Sequence, residues 1–175
     1  GQPNEKEWKA VERGLRLSRE TGARVHLTHI TTRESVELMR NAKREGLRAT
    51  CDATPHHLML TDEKVRELGS LANVNPPLRS EADRQALIEA VKDGTVDCLV
   101  TDHAPHKEKD PDLMKATFGF TGLETFIPAV LTELVHHQGM DLETVIALMT
   151  TNPARIAGIK PKGSVIIDLN REKTV

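Results

Sequence analysis

The segment "TDHAPH", residues 101–106, follows the apolar run "VDCLV" and contains one carboxylate and two imidazoles. At the end of a strand, Asp102 could bind a divalent metal through oxygen and take a proton from water. It could equally cap the turn before Pro105 with its own backbone. Spacing alone does not rank His103 against His106. These residues by themselves therefore leave both interpretations of Asp102 open.

A second candidate group is "HLTH", residues 26–29, at the end of a short apolar run. Side chains three positions apart on a strand point to opposite sides, so His26 and His29 cannot both reach one metal. His29 comes last and is the better candidate for a site, whereas His26 should pack or hydrogen-bond within the strand. The alternative for His29 is an ordinary half-buried histidine.

Three further clusters lie in the loops: "TPHH" at 54–57, "NVNPPLR" at 73–79 and "FGFTG" at 118–122. Two prolines stiffen the backbone after Asn75, so this loop could present an amide to a planar substrate or simply connect two elements. Gly119 could let backbone N–H groups approach a ligand, or could form a turn before a helix. Functional groups of parallel α/β folds collect at the carboxyl ends of strands, and the shared location of these clusters favours a site.

Apolar periodicity predicts the elements that would position these residues. We expect short strands at 23–30, 47–54 and 95–102, and helices at 5–20, 32–46, 80–94, 123–139 and 141–158. A long polar loop should separate the second strand from the third helix, and a strand at 164–169 should join a separate small β element. The alternation predicts βα units around a parallel sheet. Three such strands form either an open sheet or part of a larger barrel.

Bulk properties exclude several classes of protein. The 175 residues carry 29% charged side chains but a net charge of only -2, which does not suit nucleic-acid binding. No apolar stretch reaches the ~18 residues of a membrane span, and the start lacks a signal-peptide pattern, so we expect a cytoplasmic protein with a small-molecule partner. Cys51 and Cys98 lie in apolar runs and should be buried, reduced thiols.

Five segments taken together resemble the dihydroorotases, in the cyclic amidohydrolase branch of the metal-dependent amidohydrolases. They are "VHLTHITT", "TPHHLMLTD", "NVNPPLRSEADRQALIEAVKDGTVDCLVTDHAPH", "FGFTGLET" and "TTNPARIAGI". The resemblance runs over almost the whole chain, and "NPPLR" with "DHAPH" favours dihydroorotase over the hydantoinase and allantoinase relatives. It implies an α/β fold in which residues 1–160 are the C-terminal part of a (β/α)8 TIM-type barrel and 161–175 supply a strand of a small β-sandwich. It also implies the zinc-dependent, reversible cyclisation of N-carbamoyl-L-aspartate to L-dihydroorotate in pyrimidine biosynthesis.

The resemblance further assigns roles to individual residues. One or two Zn²⁺ ions would lie at the carboxyl ends of the strands, with His29 as the ligand ending the sixth strand. Asp102, ending the eighth, would touch the metal and act as general base and acid. Asn75 and His106 would hold the substrate, and the backbone at Phe118 and Gly119 would close over it. A homo-oligomer is expected, and aspartate transcarbamoylase is a candidate partner.

Several features of the family are absent from this sequence. They are the His-x-His pair of the first strand, the arginine after it, the bridging acid or carboxylated lysine of the fourth strand and the fifth-strand histidine. We therefore expect these residues to be the C-terminal half of the enzyme and to be inactive alone. The competing hypothesis is a non-catalytic module that stabilises or docks a partner such as aspartate transcarbamoylase.

Overall fold

The structure is a computed structural model that describes residues 2–168. Strands and helices both occur up to Leu99, and in the described residues after it only helices occur. The strands are β1 (Val25–Leu27), β2 (Ala49–Ala53) and β3 (Cys98–Leu99). The helices are α1 (Asn4–Thr21), α2 (Arg33–Arg44), α3 (Pro55–Met59), α4 (Glu63–Leu68), α5 (Glu81–Lys92), α6 (Phe126–Val130), α7 (Leu142–Met149) and α8 (Thr151–Ala157). A 3-10 helix covers Gly69–Ala72, and the chain continues from α6 as a π-helix over Leu131–His137.

The three strands form one parallel sheet in the order β1-β2-β3. Val25 pairs with Ala49 in the first ladder, and Asp52 pairs with Cys98 in the second. The predicted parallel βα arrangement is confirmed, although each strand is shorter than its apolar run.

The two faces of the sheet differ in chemistry. Ala49, Cys51 and Ala53 of β2 are buried in the main apolar core, together with side chains of α1, α2 and α5. Alternate positions of the same strand, Thr50 and Asp52, lie on the other face. Because strand side chains alternate between faces, one face joins the helical layer and the other carries polar groups.

Local capping explains why the long helices begin where they do. The Thr32 side chain accepts the backbone N–H of Ser35 at the start of α2, and Ser80 accepts that of Asp83 at the start of α5. Such a cap satisfies one of the free N–H groups at a helix start. Both predicted starts are confirmed.

Three predicted segments need correction. The expected polar loop between β2 and α5 contains α3, α4 and a 3-10 helix, because Thr54 caps a helix with Pro55 in its first turn. The helix expected over 123–139 begins only at Phe126. The helix expected over 141–158 breaks at Thr150, since Pro153 lacks an N–H and fits only the first turn of a new helix.

The predicted strand at 164–169 is also not found where the chain is described. Residues 164–168 pair with no strand, and Val165 and Ile166 are exposed. A strand needs a partner for its backbone groups, and residues 2–168 provide none here. Leu169 and the residues after it lie outside the described range, so the assignment of 161–175 to a β-sandwich stays a prediction.

Two smaller observations concern the cysteines and membrane-spanning helices. Cys51 and Cys98 are free and buried, as expected. No helix among residues 2–168 combines the length and the apolar character needed to cross a membrane.

Candidate metal centre and substrate loop

The carboxyl ends of the three parallel strands lie along one edge of the sheet. His29 follows β1, His56 follows β2, and Asp102 follows β3, each two or three residues after the strand. This edge is where parallel α/β folds place their chemistry. The edge therefore gathers two imidazoles and a carboxylate from three separate segments.

His29 and Asp102 share an unusual backbone conformation. Among residues 2–168 they are the non-glycine residues with positive φ, at 41° and 46°. For a residue with a Cβ this conformation costs on the order of 1–3 kcal/mol and is seen most often at functional sites. The two residues that the sequence analysis assigned to the metal are thus the two with strained backbones.

Asp52 holds the turn at His29. Its carboxylate accepts the backbone N–H of His29 at 2.5 Å and the hydroxyl of Thr28 at 3.1 and 3.0 Å. His26 Nε2–H donates to the same carboxylate at 2.8 Å, and the other ring nitrogen lies 2.8 Å from Thr50 Oγ1. Of the two roles predicted for His26, hydrogen bonding is found, but its partners are on the neighbouring strand β2 rather than within its own strand.

His26, Asp52 and Cys98 bring potential metal-ligand atoms within 4.8 Å of one another. Both oxygens of Asp52 are already hydrogen-bonded, however, and burial raises the pKa of the Cys98 thiol to about 12. A metal binds the thiolate rather than the thiol. The group is better explained as a hydrogen-bonded network beneath His29 than as a metal site.

His56 was not assigned a role from the sequence. Burial, followed by the nearby His57 and His29, lowers the pKa of His56 to about 2, so its ring stays neutral. The ring lies at a centroid distance of 5.1 Å from Phe120 in an edge-on arrangement. The signal that could have found it was present, because "TPHH" directly follows the strand next to β1.

The imidazoles of His29 and His56 each have a buried nitrogen without a partner. These atoms are His29 Nδ1 and His56 Nε2, and the third such side-chain atom within residues 2–168 is Glu34 Oε2 in α2. Buried polar atoms are nearly always hydrogen-bonded, so an unpartnered one requires an explanation. A neutral imidazole with a free lone pair is the form that binds a divalent metal. These residues therefore fit the metal centre that the resemblance leads us to expect.

Asp102 does not cap its own turn. Within residues 2–168 its carboxylate accepts no hydrogen bond, and the backbone N–H of His103 donates to Thr101 Oγ1 instead, at 3.3 Å. Of the two interpretations left open by the sequence, the structure favours a carboxylate that is available to a ligand. Its contact with a metal stays a prediction.

His57 supports the loop that carries Asn75. The buried ring donates from Nε2 to the carbonyl of Pro76 at 2.8 Å and lies 2.7 Å from Thr54 Oγ1. Burial lowers the pKa of His57 to about 4. Asn75 itself is exposed, and its peptide bond to Pro76 is cis. The side chain of Asn75 is thus accessible to a ligand.

The remaining predicted substrate residues lie together. His106 Nε2–H donates to the carbonyl of Phe118 at 2.9 Å, and the Gly119 N–H donates to the carbonyl of Asn73 at 3.0 Å. Phe118 is half exposed. The structure therefore brings His106, Phe118 and Gly119 into one substructure, while their contacts with a substrate stay predictions.

Known proteins are similar to this chain over nearly its whole length. Residues 7–166 match the model of the amidohydrolase family. The chain is 45% identical over 168 residues to a dihydroorotase of Anaplasma phagocytophilum and 41% identical over 186 residues to one of Brevibacillus brevis. It covers 37% and 44% of those two proteins, while they match 94% and 100% of this chain.

A solved structure shows the same fold. The L-hydantoinase of Arthrobacter aurescens superimposes with a TM-score of 0.86 at 34% identity. The alignment covers 91% of this chain and 37% of the hydantoinase. The chain thus spans about two fifths of the length of the relatives it matches, and the βα units around its sheet correspond to part of a TIM-barrel fold.

Proposed function

We propose that this chain, which belongs to the amidohydrolase family, provides the C-terminal part of the active site of a zinc-dependent dihydroorotase. The observation that carries the proposal is the pair of unpartnered imidazole nitrogens, His29 Nδ1 and His56 Nε2, at the sheet edge that also holds Asp102. The dihydroorotase relatives support the substrate, N-carbamoyl-L-aspartate or L-dihydroorotate. Residues 1–160 would belong to a (β/α)8 barrel and 161–175 to an accessory β-sandwich.

His29 and His56 would hold one or two zinc ions together with ligands from outside this chain. Catalytic zinc normally has three protein ligands, so two imidazoles and Asp102 would supply at most one ion, and a second ion would need ligands from elsewhere in the protein. When bound, zinc would polarise the amide carbonyl and lower the pKa of water toward ~7. The low pKa of His56 is consistent with this role, because a protonated ring could not bind metal.

Asp102 would move the proton. In hydrolysis it would take a proton from the attacking water and deliver it to the departing ring nitrogen, and in cyclisation the order would reverse. Its carboxylate accepts no hydrogen bond within residues 2–168, which leaves its lone pairs available for this transfer. The strained backbone at Asp102 would fix the direction of the carboxylate at the end of β3.

Asn75, His106 and the backbone at Phe118 and Gly119 would bind the substrate. The first is exposed on a loop anchored by His57, and the bond from His106 to the Phe118 carbonyl holds the others together. The Asn75 amide can donate to a carbonyl of the substrate ring, and His106, whose Nε2–H donates to Phe118, would donate to the substrate carboxylate from Nδ1 when its ring is protonated.

The test is a substrate comparison in the complete gene product that contains this chain. We expect turnover of L-dihydroorotate with zinc present and much slower hydrolysis of 5-substituted hydantoins. A preference for hydantoins would overturn the dihydroorotase assignment while leaving the amidohydrolase family intact. A homo-oligomeric state and an association with aspartate transcarbamoylase are further proposals, to be tested by light scattering of the protein alone and mixed with that enzyme.

A further inference from the structure

Residues 118–123, here called the glycine loop, are fastened to the segment that follows β3. The backbone N–H of Ala104 donates to the carbonyl of Phe120 at 2.8 Å, and His103 and Phe120 form a parallel β-bridge. His106 adds its bond to the Phe118 carbonyl. The residues that directly follow Asp102 therefore hold the glycine loop in place.

The His103 side chain adds two further hydrogen bonds to the glycine loop, both through one ring nitrogen. Its Nδ1 accepts the backbone N–H of Gly122 at 3.1 Å and that of Leu123 at 3.1 Å. A ring nitrogen that accepts hydrogen bonds carries no proton, so the proton of the neutral ring is on Nε2. Two successive backbone donors of the glycine loop thus depend on one side chain.

The fit between the two segments leaves no room for side chains. A Cβ on Gly119 would lie 2.7 Å from the carbonyl oxygen of Ala104, and one on Gly122 would lie 2.9 Å from that of Thr101. Both contacts are closer than real Cβ atoms make. The glycine loop consequently packs backbone against backbone on both sides of Asp102.

The glycine loop also forms one wall of a cleft of about 340 Å³. His56 and Thr101 are among the residues that line the rest, and Phe120 and Gly122 belong to the loop wall. This volume is within the range of small-molecule sites. Movement of the glycine loop would change the shape of the space next to His56.

We propose that His103 is a positioning residue: its Nδ1 fixes the glycine loop, and thereby the wall that closes over the substrate. The consequence for substrate binding rests on the function proposed above, whereas the structural part does not. His103 does not contact the reacting atoms in this proposal. It acts by setting where the backbone of residues 118–123 lies.

Three variants of His103 in the complete gene product test the role of the ring nitrogen. His103→Asn places a carbonyl oxygen on Cγ, the atom that bears Nδ1, and should keep both hydrogen bonds. His103→Gln places its oxygen one atom farther out, and His103→Leu removes the acceptor. His136→Asn, at an exposed position near the end of the π-helix, is the matched control.

The first measurement is hydrogen exchange of a peptide that covers residues 118–125, followed by mass spectrometry. We expect the Gln and Leu variants to exchange the Gly122 and Leu123 amides at least about tenfold faster, and the Asn variant and the control to match the wild type. Equal protection in the wild type and in both the Gln and Leu variants would overturn the proposal. If His103→Leu does not fold, the comparison of Asn with Gln still decides.

The second measurement is the KM and kcat for dihydroorotate. Movement of the glycine loop should raise KM about tenfold in the Gln variant, with a smaller change in kcat. The Asn variant should keep the wild-type KM. An unchanged KM despite rapid exchange would show that the loop does not close over the substrate. A wild type without dihydroorotate turnover would contradict the proposed function, and the exchange result would still decide the role of His103.

Discussion

The backbone N–H of His29 donates to the carboxylate of Asp52, 23 residues away in the sequence and on the neighbouring strand. This bond holds His29 in its positive-φ conformation and so fixes where its ring lies. The same carboxylate also accepts hydrogen bonds from His26 and Thr28. Asp52 therefore couples the polar face of the sheet to the predicted metal ligand.

Asp52→Asn should weaken zinc binding by about 10–100-fold, the scale seen when a group that orients a metal ligand is changed. An amide keeps one acceptor oxygen but replaces the other with a donor, so the variant side chain could no longer accept from His26, Thr28 and His29 together, and the bond that holds His29 should weaken. Zinc affinity is measured by competition with a chromophoric chelator, with exposed Asp110→Asn as the control. Unchanged affinity would show that His29 does not depend on Asp52.

His56→Ala should lower the zinc content of the complete protein as strongly as His29→Ala does. Each substitution removes one of the two buried, unpartnered imidazole nitrogens at the sheet edge. Metal content is measured by mass spectrometry after dialysis against a weak chelator, with His136→Ala as the control. Full zinc occupancy in the His56 variant would remove this residue from the site.

Asp102→Asn should lower kcat for dihydroorotate by at least about 100-fold, the scale of lost acid–base assistance. The amide cannot accept the proton from water, although its size and backbone preference are close to those of aspartate. The rate is measured at saturating zinc, so that weaker metal binding does not mimic the effect. Near-normal turnover would refute the role of Asp102.

Local signals made part of this structure predictable. Thr32 and Ser80 each cap a helix by accepting a backbone N–H three residues later. Both predicted helix starts are confirmed. His29 and Asp102 were predicted at the carboxyl end of the sheet from the rule that functional residues of parallel α/β folds follow the strands. His56 was not predicted as a ligand, because it lies in a short helix, α3, in a segment predicted to be a loop.

The long-range contacts could not be predicted from the sequence. Neither the Asp52–His29 bond nor the attachment of His103 to Gly122 and Leu123 has a local signature, since the partners are 19 to 23 residues apart. Both depend on how neighbouring segments pack at the sheet edge. For the same reason His103 could not be ranked from "TDHAPH" alone.

Gly119→Ala should destabilise the protein more than Gly139→Ala does. Both glycines have positive φ, 135° and 66°, but only the first has neighbours within 4 Å of a new Cβ, the nearest being Ala104. The control carries the ~1–2 kcal/mol cost of a left-handed backbone, and Gly119→Ala should lose at least ~1 kcal/mol more, from a φ less accessible to alanine and from the displaced contact. Chemical denaturation measures both, and equal losses would argue against a tightly packed glycine loop.

His57 should make the protein less stable in mild acid. Its folded pKa, about 4, is below the ordinary histidine value of 6.5, because burial disfavours the charged ring. The unfolded chain therefore binds more protons between these values, and stability falls as the pH is lowered from about 6.5 to about 4. One such group contributes at most ~1.4 kcal/mol per pH unit.

His57→Gln keeps a donor near the Pro76 carbonyl and should reduce the pH slope of the unfolding free energy by about that amount. Unfolding by urea at several pH values measures the slope. His56 also titrates below its ordinary range, so the variant should keep part of the slope, and a slope equal to that of the wild type would mean that His57 is not buried as a neutral ring.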